Sequence, residues 1–309
     1  MPTGPSTTRA DAHRDQWFAM RLSLGFGAVM LAGKVGAYLL TGSAAILSDA
    51  VESVIHVIAV AFAAWSLVLS ARPADRRYPY GYERIAFFSA GFEGAMIVIA
   101  AVGIIVASVR KWLGGIELEQ LGLGTLIVAA AAGVNALLGW YLVSTGRRTQ
   151  SLILEANGKH VLTDSWTSVG VIGGLVLVIA TGWKPFDPIL AMAVALNILW
   201  SGAQLMGRSV GGLMDRSDPA VERALGEQLD TLSAELGIEY HALRFRHTGQ
   251  RVLVEVHLLF PYDLALGEAH RLATMVEERL PRGIGRDVEV ITHLEALEDH
   301  QDVHRAGPH

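Results

Sequence analysis

The chain has 309 residues, 51% of them apolar, with 33 glycines, no cysteine, a net charge of −5 and a mean hydropathy of +0.37. Without a thiol there is no disulfide framework, iron–sulfur cluster or thiolate zinc site, so any metal is held by nitrogen and oxygen. An acidic balance with no basic patch argues against nucleic acid as a partner.

These averages conceal two halves. Residues 1–210 carry 15 Lys/Arg against 12 Asp/Glu and three of the 11 histidines, a charge of +3; residues 211–309 carry 10 against 18 and the other eight histidines, a charge of −8. The polar segment 1–16 is expected to be disordered and cytosolic. No short apolar core with a small-residue cleavage site precedes the first long apolar run, so no removable signal peptide is expected.

Residues 17–210 read as a six-helix transmembrane domain. Crossing ~30 Å of hydrocarbon takes ~20 mostly apolar residues, and such stretches lie at about 20–40, 44–71, 85–109, 121–143, 160–181 and 188–207. Glycine, proline and charge break them at Thr41-Gly42, Arg72-Pro73, Gly114-Gly115, Thr145-Gly146 and Lys184-Pro185. Glycines within the spans (Gly25, Gly27, Gly33, Gly36, Gly170, Gly173, Gly174) suit close helix packing. Arg72, Arg76, Arg77 and Arg84 lie between the second and third spans, Arg147, Arg148 and Lys159 between the fourth and fifth, and Arg9, Arg14 and Arg21 at the amino terminus. Opposite them stand Arg110, Lys111 and Lys184, which predicts that both termini are cytoplasmic.

Ionisable groups within lipid cost roughly 2.5–3.5 kcal/mol each on insertion scales, so each one calls for a purpose. Span 2 holds Asp49, Glu52 and His56 in SDAVESVIH, and span 5 holds Asn157, His160 and Asp164 in ANGKHVLTD. Both triplets have spacings of three and four, which puts each on one helix face. If the faces meet, Glu52, His56, His160 and Asp164 form a four-ligand site, with Asp49 and Asn157 orienting the ligands. Two imidazoles and two carboxylates suit tetrahedral zinc and also accept iron(II), cobalt(II) or manganese(II). The alternative is that these polar groups satisfy one another as helix packing. Lys34 in span 1 and Glu93 in span 3 read as structural ion-pair residues, with a role in proton coupling as the alternative.

The motif His160-Val-Leu-Thr-Asp164, followed by Ser165 and Ser168, resembles the His-x-x-x-Asp of the cation diffusion facilitator family of divalent metal/proton antiporters. Aligning Asp49-Ala50 with that family's Asp-Ala pair makes Glu52 and His56 the span 2 ligands, a departure from its usual pair. A one-turn shift would use Asp49 and Ser53 instead. Family members often hold an accessory metal between spans 2 and 3 with an aspartate and two histidines. Here Asp75 remains but Tyr78 and Tyr82 take the histidine positions, so no metal is expected, and the loop arginines read as membrane-surface anchors.

From Asp215 the pattern changes to short amphipathic elements. Asp218-Pro219 opens a helix to about residue 236, strands follow at about 241–248 and 251–260 around Gly249-Gln250, a second helix at about 264–280, and a last strand at about 286–294. This αββαβ order predicts a ferredoxin-like cytosolic domain over 211–297 with a flexible tail at 298–309. By the resemblance, His241, His257, His270, His293 and Glu295 match the family's cytosolic metal cluster at a dimer interface. The whole then implies a homodimer in the inner (plasma) membrane that exports a divalent metal, zinc favoured, from the cytoplasm in exchange for protons, with metal also acting as a regulator. An intramembrane metalloenzyme is disfavoured, because no His-Glu-x-x-His occurs and four ligands leave no open coordination position, and a metal sensor with a vestigial membrane half is the remaining alternative.

Overall fold

The structure is a computed structural model that describes residues 9–41, 44–114, 123–284 and 287–298. It divides at Val210/Gly211 into two compact units. The first is built of α1 (Arg9–Thr41), α2 (Ala44–Ser70), α3 (Ile85–Gly114), α4 (Leu123–Arg148), α5 (Leu152–Thr181) and α6 (Phe186–Leu213). Their 26 to 33 residues exceed the ~20 that a helix rising 1.5 Å per residue needs to span ~30 Å. Among the described residues, Ile85–Gly114, Leu152–Thr181 and Pro188–Leu213 are long and apolar enough to cross a membrane by length and composition.

Polarity in this unit is inverted relative to a protein in water. Ile99, Leu137, Trp140, Trp166 and Trp200 are exposed, while Ser66, Ser89, Glu93, Asn157 and His160 are buried. Lipid is the solvent that makes such a distribution stable. Helix α5 packs on α4, α3, α2 and α1, which makes it the axis of the bundle. Glycine permits its closest approach: a Cβ on Gly158 would stand 2.7 Å from the Val143 nitrogen and 2.9 Å from the Gly139 carbonyl oxygen of α4. On the other side, Gly94 of α3 and Gly202 of α6 bring those backbones together in the same way. Gly25, Gly33 and Gly36 face open space, so only part of the glycine content serves packing.

Two helices begin earlier than hydropathy suggests. Helix α1 starts at Arg9, inside the segment 1–16 expected to lack structure. Its polar residues have helix-spaced and tertiary partners: Arg14 pairs with Asp11 at 2.8 Å, Arg148 with Asp15 at 2.7 Å, and the Gln16 amide donates to the Thr149 carbonyl. Helix α5 starts at Leu152, where Ser151 accepts from the Leu154 nitrogen as N-cap. The buried Glu155 in its first turn is met by Arg208 at 2.6 Å, Lys159 at 3.4 Å and Arg147 at 3.8 Å. Neutralised by three cations, a charge that hydropathy counts as a break lies inside a helix.

The second unit comprises α7 (Pro219–Leu236), β1 (Glu239–His247), β2 (Arg251–Phe260), α8 (Leu266–Arg279) and β3 (Asp287–Ala296), with a 3-10 turn at Leu280–Gly283. Asp218 caps α7 and Gly237, at φ +67°, ends it. The sheet order is β1-β2-β3, with β1 antiparallel and β3 parallel to β2. Alternation along β2 sends Val252, Val254, Val256, Leu258 and Phe260 into a core with Val221, Leu225 and Leu229 of α7 and Ala269, Ala273 and Val276 of α8. The odd-numbered residues of β2 face away from both helices. A bulge at Ala242, φ +50°, inserts one residue between His241 and Arg244, so Tyr240, Leu243 and Phe245 all reach the core. This is a membrane helical domain joined to a ferredoxin-like αββαβ domain.

Candidate metal centres

In the helical unit the spacing of α5 puts Asn157, His160 and Asp164 on one face, and α2 brings His56 to it. The His56 and His160 rings stack with centroids 4.9 Å apart at 26°, and His56 Nδ1 lies 3.9 Å from Asp164 Oδ2. His160 is 9% exposed, while the Asp164 side chain is 45% exposed, so the pair runs from a buried imidazole to an accessible carboxylate. The Asp164 main-chain carbonyl accepts from the Thr167 and Ser168 hydroxyls at 2.8 and 3.1 Å. Asp49 and Glu52 belong to α2, but their side chains, like that of Lys34, lie outside the described residues; Ser53 is buried.

Two polar residues go elsewhere than their spacing suggests. Asn157 turns from the imidazoles toward α1, where its amide donates to Ser23 Oγ at 3.0 Å and approaches Met20 Sδ at 3.9 Å. Glu93 of α3 is fully buried, and its Oε2 lies 3.3 Å from His160 Nδ1. The side chain that Glu93 meets is therefore a metal-ligand candidate. A lone carboxylate in the apolar stretch Phe92-Glu93-Gly94 is the sequence signal for it, but nothing in α3 alone says which helix it meets. The intramembrane donors thus stand as two pairs, His56 with Asp164 and His160 with Glu93, joined by the ring stack.

Between α2 and α3 the Asp75 carboxylate accepts from the Tyr82 hydroxyl at 2.6 Å and from the Arg77 and Tyr78 nitrogens at 2.8 and 2.9 Å. The Tyr82 bond, then those from the backbone, hold its carboxyl below the usual carboxylate range. Asp75 staples its own loop.

The second unit holds a more compact cluster. His241, His257 and His293 pair directly across the three strands, and Glu295 lies two residues along β3 on the same face. Glu295 meets His241 Nε2 at 2.9 Å, His257 Nδ1 at 2.7 Å and His293 Nε2 at 3.6 Å. Burial pushes the Glu295 carboxyl up, but hydrogen bonds and charge from His241 and His257 outweigh it and hold the group at about 2. Among the described residues, His241, His257 and Glu295 form the one group whose donor atoms all lie within 4.8 Å of one another. His270 is not in this row. It is exposed on α8, and α8 covers the opposite face of the sheet.

The model described as the cation efflux transmembrane domain matches residues 20–214, and that of the cation efflux protein cytoplasmic domain matches residues 230–297. The chain belongs to the cation diffusion facilitator family. Members of this family are transporters, not enzymes. This member is similar to the transporter sll1263 of Synechocystis, at 36% identity over 90% of this chain and 89% of that one. It is also similar to the magnetosome protein MamB of Magnetospirillum gryphiswaldense, 28% identical over 82% of this chain and 85% of that one, and to the zinc transporter ZitB of Escherichia coli, 31% identical over 67% and 66%. It is a multi-pass membrane protein, and its substrate is a metal cation.

Proposed function

We propose that this protein exports a divalent transition metal from the cytoplasm across the plasma membrane by alternating access, driven by inward proton flow, with both termini cytoplasmic. The stacked His56 and His160 with Asp164 beside them carry the reading. Metal requires neutral imidazole and ionised carboxylate, so protons and metal compete for the same atoms, and that competition is the coupling. Glu52, one turn before His56, completes a four-donor set that favours zinc, with iron(II), cobalt(II) and manganese(II) as alternatives. The likeness to a protein named as a zinc transporter supports the same choice.

In the cytosolic domain His241, His257 and Glu295 fit a divalent metal by donor chemistry and proximity, with His293 beside Glu295 as a further donor. Metal bound there acts as a regulator: it draws the two domains of a homodimer together and biases the membrane halves. The exposed His270 suits contact with a second copy better than with its own row.

Proteoliposomes loaded with a pH-sensitive dye test the transport reading. Metal-dependent proton movement is expected in the wild type and its loss in Asp164→Ala. Undiminished movement in that variant overturns the site.

A further inference from the structure

Within the bundle, Glu93 is the buried group that the four-donor reading leaves without a task. Its side chain is 0% exposed, and neither carboxylate oxygen has a hydrogen-bond partner. His160 Nδ1 is likewise buried without a hydrogen bond, and Glu93 Oε2 stands 3.3 Å from it. Two donors each ~2.1 Å from one divalent cation lie about 3.0 Å apart at octahedral angles and about 3.4 Å at the tetrahedral angle. The separation therefore suits two ligands of one metal. A carboxyl so deeply desolvated gives up its proton only when a cation comes to it.

The placement of Glu93 is rigid. One residue on, a Cβ at Gly94 would stand 2.9 Å from Met206 Cγ and 3.3 Å from the Gly202 carbonyl of α6, so α3 is locked against α6 at this level. On its other side α3 packs on α5, which carries His160. The stacked His56 ring and Asp164, one turn along α5, complete the surroundings.

We propose that Glu93 is a ligand of the transported metal, an anionic oxygen supplied by a third helix. With His56, His160 and Asp164 it makes two imidazoles and two carboxylates, and a carboxylate that binds through both oxygens carries the set past the four donors of tetrahedral zinc. It moves toward the five or six mixed nitrogen and oxygen ligands that iron(II) and manganese(II) accept. The inference rests on the transport reading above and assigns Glu93 the discrimination among its substrates.

The test is uptake of zinc, iron(II) and manganese(II), each alone, by proteoliposomes of wild type, Glu93→Gln, Glu93→Asp and Asp164→Ala. Gel filtration in detergent confirms that each variant is folded. Glu93→Gln keeps shape and removes the charge, so iron(II) and manganese(II) uptake falls about tenfold or more while zinc uptake falls far less. Glu93→Asp restores part of the difference. An unchanged ratio among the metals in Glu93→Gln, whether all rates hold or all fall together, overturns the assignment. A wild type that carries zinc alone also overturns it and leaves the transport reading standing. A wild type that moves no metal, or Asp164→Ala that moves all three normally, overturns the transport reading and the Glu93 assignment with it.

Discussion

Two buried polar residues in apolar helices, Asn157 and Glu93, illustrate how a side chain finds its role. Asn157 has the spacing of a residue that orients His160, yet its amide bonds Ser23 on α1 and fastens two helices. Asn157→Ala is expected to lower stability by about 1 kcal/mol. Ser23→Ala should cost a similar amount and the double variant little more, in denaturation of detergent-solubilised protein. Glu295 shows the electrostatic side. Its carboxyl is held at about 2 against a usual 4.5, so its contribution to stability is fully present above about pH 4.5 and is lost as pH falls toward 2. Glu295→Gln should flatten the acid limb of the melting-temperature profile between those values. A variant whose acid limb matches the wild type would show that the contacts with His241 and His257 contribute nothing.

At the scale of elements, the packing of α4 on α5 decides where the site sits. Gly139 and Gly158 let the two backbones touch, and with α5 thus fixed His160 is held toward α2 and α3. Gly158→Leu inserts a branched side chain where a Cβ alone meets the Val143 nitrogen at 2.7 Å, and is expected to cost about 1–3 kcal/mol or more. Thermal melting in detergent checks this, with Gly25→Leu, which faces open space, as the contrasting substitution. In the sheet, the bulge at Ala242 keeps His241 opposite His257 while restoring Leu243 and Phe245 to the core. Without it, alternation from Tyr240 would turn Arg244 inward.

For the whole molecule, the two metal centres proposed above imply two separable responses. Metal added to the full-length protein should shorten the distance between labels on the cytosolic domains of a homodimer, read by fluorescence energy transfer. His257→Ala should weaken that response about tenfold or more in metal concentration, because it removes a proposed ligand that touches Glu295. An unchanged response would separate the cluster from dimer closure. The charge split follows the same division. In the +3 half, sparse ionisable residues are neutralised in pairs and clusters, as Glu155 is by Arg208, Lys159 and Arg147. The −8 half keeps the sheet face opposite its two helices for a histidine row.

Hydropathy and spacing alone established the six long helices, the αββαβ order and the helix faces that carry His56, His160 and Asp164, because periodicity is a property of one element at a time. The cytosolic histidines were visible too, though their union in one row needed the strand register. Tertiary structure alone decided that Glu93 meets His160, that Asn157 meets Ser23, and that His270 lies off the row formed by His241, His257 and His293. Each of these joins elements through the rotation of one helix against another or the choice of which sheet face is covered. Packing of whole surfaces sets those quantities, and no local run of residues encodes them.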